Sequence, residues 1–155
     1  MLNDLKLRNP ELQGEIWICP ATQNVILGYR QTGLHSKEAG GILVGYRRGP
    51  HIEIVETSFP LALDVRRRNS FERKDPGHQA FSDSHWESSC GTMHYVGEWH
   101  THPEVNPSPS TLDRFEWGKL KRQYEDPLVF LIAGTDHWYM EFGSLKWTFS
   151  APSSS

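Results

Sequence analysis

The chain has 155 residues, 37% hydrophobic and 23% charged, with a formal net charge of −3. That length supports one domain with a real core, and the small acidic balance argues against nucleic acid as the main partner. No apolar run approaches the roughly 20 residues of a membrane span, and Met1 to Gln13 lacks the apolar core of a signal peptide, so a cytoplasmic protein with no membrane partner is expected.

Glu15 to Cys19 is a short strand candidate, and Pro20 suits the first turn of a helix running to about Gln31, with Gly33 just past its end. Gly41 to Tyr46 and His51 to Phe59 read as a β-hairpin across Arg47-Arg48-Gly49-Pro50. Leu61 to Lys74 is polar and basic, with Arg66, Arg67 and Arg68 in a row, and gives no clear element. That arginine run reads either as a solvated loop or as a contact for an acidic partner. Asp75-Pro76 starts a helix to about Ser89, and Met93 to His100 is a strand stopped by Pro103.

Thr111 to Tyr124 is helical, with Leu112, Phe115, Leu120 and Tyr124 on an imperfect apolar face. Leu128 to Ala133 is continuously apolar and should be a strand buried on both faces. Asp136 to Phe142 alternates, with Trp138, Met140 and Phe142 on one side. Together these elements indicate an α/β (α+β) domain over residues 1–149, its sheet mixed or antiparallel, and a disordered Ser/Pro-rich tail over 150–155. The first ten or so residues read as loose. Cys19 and Cys90, in no metal-type spacing, read as reduced thiols, and Cys90 as a buried one.

The chemistry concentrates in Glu98-Trp99-His100-Thr101-His102-Pro103, followed by Ser110 and Asp113. His100 and His102 stand at i and i+2, so on a strand both rings face the same side and can converge on one ion. Asp113 opens the next helix, and Pro103, Pro107 and Pro109 stiffen the loop that returns it to the pair. Two imidazoles and a carboxylate make a three-ligand set that suits zinc and leaves a fourth position open. Ser110-Thr111-Leu112-Asp113 is also a capping-box pattern, in which both polar residues would only start a helix.

Hydrolysis at such an ion benefits from a carboxylate that moves protons. Glu38 stands before an apolar strand, with Gly40 and Gly41 allowing close backbone approach, and is the best candidate. Glu98 competes, sharing the face of His100, or else supports a ligand imidazole from behind.

Glu-Ala-Gly-Gly-Ile-Leu-Val-Gly from Glu38, with His-x-His-Pro-x6-Ser-x2-Asp downstream, resembles the JAMM motif (also JAB or MPN-plus) of zinc isopeptidases, from about Glu15 to Trp147. The resemblance implies one Zn2+ per chain on His100, His102 and Asp113, with Glu38 holding the attacking water and Ser110 stabilising the oxyanion. It implies a curved mixed sheet flanked by helices, of cytidine-deaminase-like type. No motif position departs from the pattern.

Within the family, the chain is similar to the deconjugating proteases of CBASS anti-phage operons. That similarity implies a protein substrate conjugated through its C-terminus, a CD-NTase (cGAS-like nucleotidyltransferase), with a ubiquitin-like or sulfur-carrier protein as the alternative. No appendage beyond the catalytic domain is evident in the sequence. A JAMM-like protein-binding scaffold is the non-enzymatic alternative, against which the intact ligand set argues. A DNA-linked, RadC-type role is opposed by the acidic balance.

Overall fold

The computed structural model describes residues 2–11 and 13–153. In chain order the elements are β1 (Leu5–Asn9), β2 (Gly14–Ile18), α1 (Pro20–Leu27), β3 (Gly40–Arg48), β4 (His51–Thr57), β5 (Val65–Arg67), β6 (Ser70–Glu72), α2 (Gly77–Ser88), β7 (His94–Thr101), α3 (Thr111–Gln123), β8 (Val129–Ala133), β9 (His137–Phe142) and β10 (Leu145–Ser150). Eight strands form one curved mixed sheet in the order β1-β2-β4-β3-β7-β8-β9-β10, flanked by the helices, and β5 and β6 pair separately. Each of the two parallel pairings, β2 with β4 and β7 with β8, has a helix in its connection, the crossover that parallel neighbours require.

β8 shows why its sequence is apolar throughout. Val129, Leu131 and Ala133 enter the main core with Ile18, Ile26, Leu43, Trp99 and Trp138, while Phe130 and Ile132 face α3 with Trp117. Both faces are covered, so no polar position is left along the strand. β3 divides likewise: Leu43 joins the main core, and Ile42 and Val44 pack with Met93. A register shift in the β3–β7 ladder, between Leu43 and Val44, resets the alternation along β7. Beyond it Trp99 points into the core and His100 to the opposite face.

Three expectations are corrected. The first residues are not all loose: β1 pairs antiparallel with β2, Leu5 and Leu7 packing on the core while Lys6 and Arg8 point away. β10 was not expected; Leu145, Trp147 and Phe149 alternate with polar residues, and Trp147 and Phe149 pack on the same core. This strand includes Ser150, and Ala151 N donates to Asp136 O, while residues 154 and 155 of the expected tail lie outside the described residues. Finally, α1 closes at Gly28 rather than Gln31, because Gln31 is drawn into a buried hydrogen-bond network near the site.

The uncertain stretch 61–74 is a polar hairpin fixed from below by a buried relay. Ser58 Oγ accepts from Ile42 N (2.9 Å) and shares a hydrogen bond with His78 Nδ1 (2.7 Å), and His78 Nε2 donates to Asp64 Oδ2 (2.6 Å). Asp64 also accepts from the backbone N–H groups of Leu61, Lys74 and Asp75, which gather both ends of the hairpin. Burial raises its pKa, but these hydrogen bonds outweigh that and hold Asp64 below the ordinary carboxylate range. Asp64→Ala should therefore cost about 2–4 kcal/mol, since it strands several donors in a buried place. Urea denaturation at neutral pH checks this. The sign of the shift places the contribution above the unfolded carboxylate pKa, with progressive loss in acid.

Candidate metal centre

β7 carries the two histidines to the sheet's end, and backbone pairing continues past it. His102 N donates to Ala133 O (3.0 Å), which keeps His102 in register beside β8. The following loop is tied to the turn before β9: Thr135 N donates to Glu104 O (2.8 Å) and His137 N to Val105 O (3.0 Å). The chain therefore turns back and starts α3 directly over the histidines.

There Ser110 Oγ accepts from Asp113 N (3.0 Å), and Asp113 Oδ2 accepts from Ser110 N (2.8 Å), a complete capping box. The same Oδ2 lies 3.2 Å from His100 Nε2 and 3.1 Å from His102 Nε2, and the two Nε2 atoms are 3.0 Å apart. Capping and proximity to the histidines coexist at Asp113, because the capping bond fixes the rotamer that aims the carboxylate at the imidazoles. Ser110 accepts through oxygen and keeps its hydroxyl proton free to donate.

Three donor atoms on a triangle of 3.0–3.2 Å edges are an arrangement that a cation satisfies. Tetrahedral ligation at about 2.0–2.1 Å puts donor atoms about 3.3 Å apart. His102 Nδ1 lies 2.7 Å from Glu104 Oε1, so that nitrogen carries the proton and Nε2 turns a lone pair to the centre. Burial lowers the pKa of His100, which keeps its ring neutral. Burial acts to raise Asp113, but the two imidazoles against it hold it far below the usual range. The donor set fits a divalent metal.

Glu38 is 2% exposed, its Oε2 3.9 Å from His102 Nε2. Donor atoms of Glu38, His100 and His102 lie within 4.8 Å of one another. In the metal-free protein burial pushes the Glu38 carboxyl up to about 8. The expected glycine approach is present: a Cβ on Gly41 would meet Ser58 O at 2.3 Å, and one on Gly40 would meet Trp99 O at 2.7 Å. Glu98, the competing carboxylate, is instead bound by Arg73, whose Nε and Nη2 reach its Oε1 at 2.7 and 2.6 Å.

Two hollows meet at the triangle. A groove of about 540 Å³ runs between the hairpin and α3, past Phe71, Arg73, Glu98, Leu112 and Trp117 to His100 and Asp113. A smaller one of about 190 Å³ is lined by Glu38, Asn69, His102, Pro103, Glu104 and Ser110.

The prokaryotic homologs of the JAB domain match residues 24–149. The chain belongs to the JAB family. The "CD-NTase/cGAS isopeptidase" of Pseudomonas aeruginosa strain BWHPSA011 / Pa011 is 46% identical to this JAB domain over 67% of each chain. The protein of the same name from Vibrio cholerae is 38% identical over 73% of this chain and 72% of its own. That of Escherichia coli strain TW11681 is 43% identical over 71% and 70%. Among solved structures, protein DSY2949 from Desulfitobacterium hafniense shares the fold with a TM-score of 0.58 at 18% identity, covering 86% of this chain and 88% of its own. No helix among the described residues is long and apolar enough to cross a membrane.

Sequence reasoning missed several residues of the site. Glu104, two positions after His102, was readable as a partner for that ring from its spacing alone. Glu141 was not: it is 1% exposed and accepts from Arg114 Nη1 (2.6 Å), Lys121 Nζ (3.0 Å) and Tyr139 OH (2.7 Å), anchoring α3 to β9. Trp117 completes that anchor by stacking on Phe130 at 4.6 Å. Cys90, expected to be buried, is exposed at the end of α2 with φ 56°. Glu104→Ala should weaken metal affinity by about 10- to 100-fold, the usual cost of removing a carboxylate behind a ligand imidazole. Competition with a fluorescent chelator measures it.

Proposed function

We propose that this JAB domain is a cytoplasmic zinc isopeptidase, its catalytic domain spanning residues 1–149, that releases a CD-NTase joined through its C-terminus to a target protein. The observation that carries this reading is the His100–His102–Asp113 triangle, with buried Glu38 beside it, at the junction of two hollows. The substrate follows from the relatives named CD-NTase/cGAS isopeptidase at 38–46% identity.

His100, His102 and Asp113 hold the ion, and Glu104 fixes the His102 tautomer. Bound there, zinc supplies Lewis acidity, which lowers the pKa of water and polarises the scissile carbonyl. Glu38 takes a proton from the attacking water, and Ser110 donates its hydroxyl proton in a hydrogen bond to the developing oxyanion. Glu38 then gives that proton to the departing nitrogen as the C–N bond breaks, leaving a free carboxylate and a free amine. Low surrounding exposure keeps these charges out of bulk water.

The test is intact-mass analysis of a CD-NTase fused or conjugated through its C-terminus, incubated with the wild type, the chelated wild type and Glu38→Gln. Release at that C-terminus by the zinc-loaded wild type alone is the expected result. Cleavage of a ubiquitin-like precursor but not of this conjugate would move the substrate class and leave the hydrolase.

A further inference from the structure

We infer that the Arg66–Arg68 run is a fixture for Glu38, with Arg66 a positioning residue for the base of hydrolysis. Among the described residues no hydrogen bond holds the Glu38 carboxylate itself; His102 Nε2 stands 3.9 Å from its Oε2. Its placement is therefore set by its backbone, and that backbone is held on both sides by consecutive arginines. Glu38 N donates to Arg67 O (2.7 Å), and Arg66 Nε donates to Glu38 O (2.8 Å), with Arg66 Nη2 reaching Lys37 O at 3.3 Å. The guanidinium of Arg66 also sits over the Tyr29 ring, 5.7 Å from its centre, and Tyr29 leans on Trp99.

The next residue links this fixture to the metal-bearing strand. Thr101, between the two histidines, donates its N–H to Ala39 O (2.9 Å) and accepts from Ala39 N at Oγ1 (2.9 Å). Its hydroxyl proton goes to Gln31 Oε1 (2.9 Å), and Gln31 Nε2 donates to Arg68 O (2.9 Å) and Ser36 O (3.1 Å). Arg68 Nη1 closes the loop on Gly33 O and Ser36 O at 2.8 and 3.0 Å. Arg66 and Arg68 thus spend donors on carbonyls of the 33–38 segment, and among the described residues the run's one acidic contact is the exposed Arg67–Glu72 pair at 4.0 Å. A fixed hydrogen-bond ring explains how a buried carboxylate with no partner stays aimed at the triangle. A displacement of about 1 Å there is enough to cost about 100-fold in rate.

The kinetic arm of the test rests on the isopeptidase reading; the exchange arm does not. Arg66→Ala should speed amide hydrogen exchange in residues 36–40, with β7 and α3 unchanged and zinc content still one per chain. On the conjugate, kcat should fall about tenfold or more with KM within about twofold. In a Glu38→Gln background the same change should add no further loss, because a residue acting only through Glu38 has nothing left to position. Arg66→Lys, which keeps the charge but loses the Nε donor, should fall between and guards against a folding defect. Unchanged exchange at 36–40, a rise in KM alone, or a multiplicative loss in the Glu38→Gln background would overturn the inference. If the wild type leaves the conjugate intact, the substrate reading fails and the exchange result alone decides the fixture.

Discussion

Glu38→Gln should lower hydrolysis by at least about two orders of magnitude while one zinc remains bound. The substitution keeps the shape of a side chain that is 2% exposed and removes only its ability to accept and return a proton. The triangle of His100, His102 and Asp113 closes at 3.0–3.2 Å without Glu38, so the metal does not depend on it. The same variant should behave in the opposite sense in stability. In the metal-free protein, burial raises Glu38 from 4.5 to about 8, so the folded state binds more protons than the unfolded state between those values. Stability of the metal-free wild type then falls as pH rises through that window. Metal-free Glu38→Gln should melt above the wild type at pH 8 and match it near pH 4.5, as thermal unfolding across that range reads. Full activity in Glu38→Gln would transfer the proton to another group, with Glu98 the nearest alternative on the metal-bearing strand.

Local spacing made part of this site legible. His100, His102, Ser110 and Asp113 lie within fourteen positions, and a strand, a stiff turn and a helix start bring them together with little help from the rest of the chain. Glu38 lies 62 positions before His100, and without the histidine motif to call for a carboxylate its segment reads as an ordinary loop. β8 was legible because burial on both faces leaves an unbroken apolar word in the sequence. β1 and β10 are covered on one face only, so charged or polar residues alternate through them and blur into the polar ends of the chain. The arginine run was opaque for another reason. Its partners are backbone carbonyls some thirty residues away, and a carbonyl acceptor leaves no mark on residue identity. Glu141 is similar, since its three donors come from α3 and from its own strand.

Asp113→Asn separates the helix cap from the proposed metal-donor role on the same oxygen. As a helix cap, Asp113 Oδ2 accepts a single hydrogen bond from Ser110 N, and an asparagine carbonyl oxygen can accept the same bond. As a metal donor it must bring negative charge to two neutral imidazole nitrogens 3.1 and 3.2 Å away, which an amide cannot do. Worse, if the carbonyl stays on Ser110, the amide has no charge to neutralise a dication there. Metal affinity should fall by at least about 100-fold, since even the loss of a supporting carboxylate behind a ligand costs 10- to 100-fold. The wild type should carry one zinc in native mass spectra and gain melting temperature with added zinc, as binding to the folded state alone requires. Asp113→Asn should show neither effect, yet keep the far-ultraviolet circular dichroism of an intact α3. One retained zinc with an undiminished zinc-dependent rise would reduce Asp113 to a cap, and the ion would then have to rest on the two histidines and Glu38, the other donor group within reach.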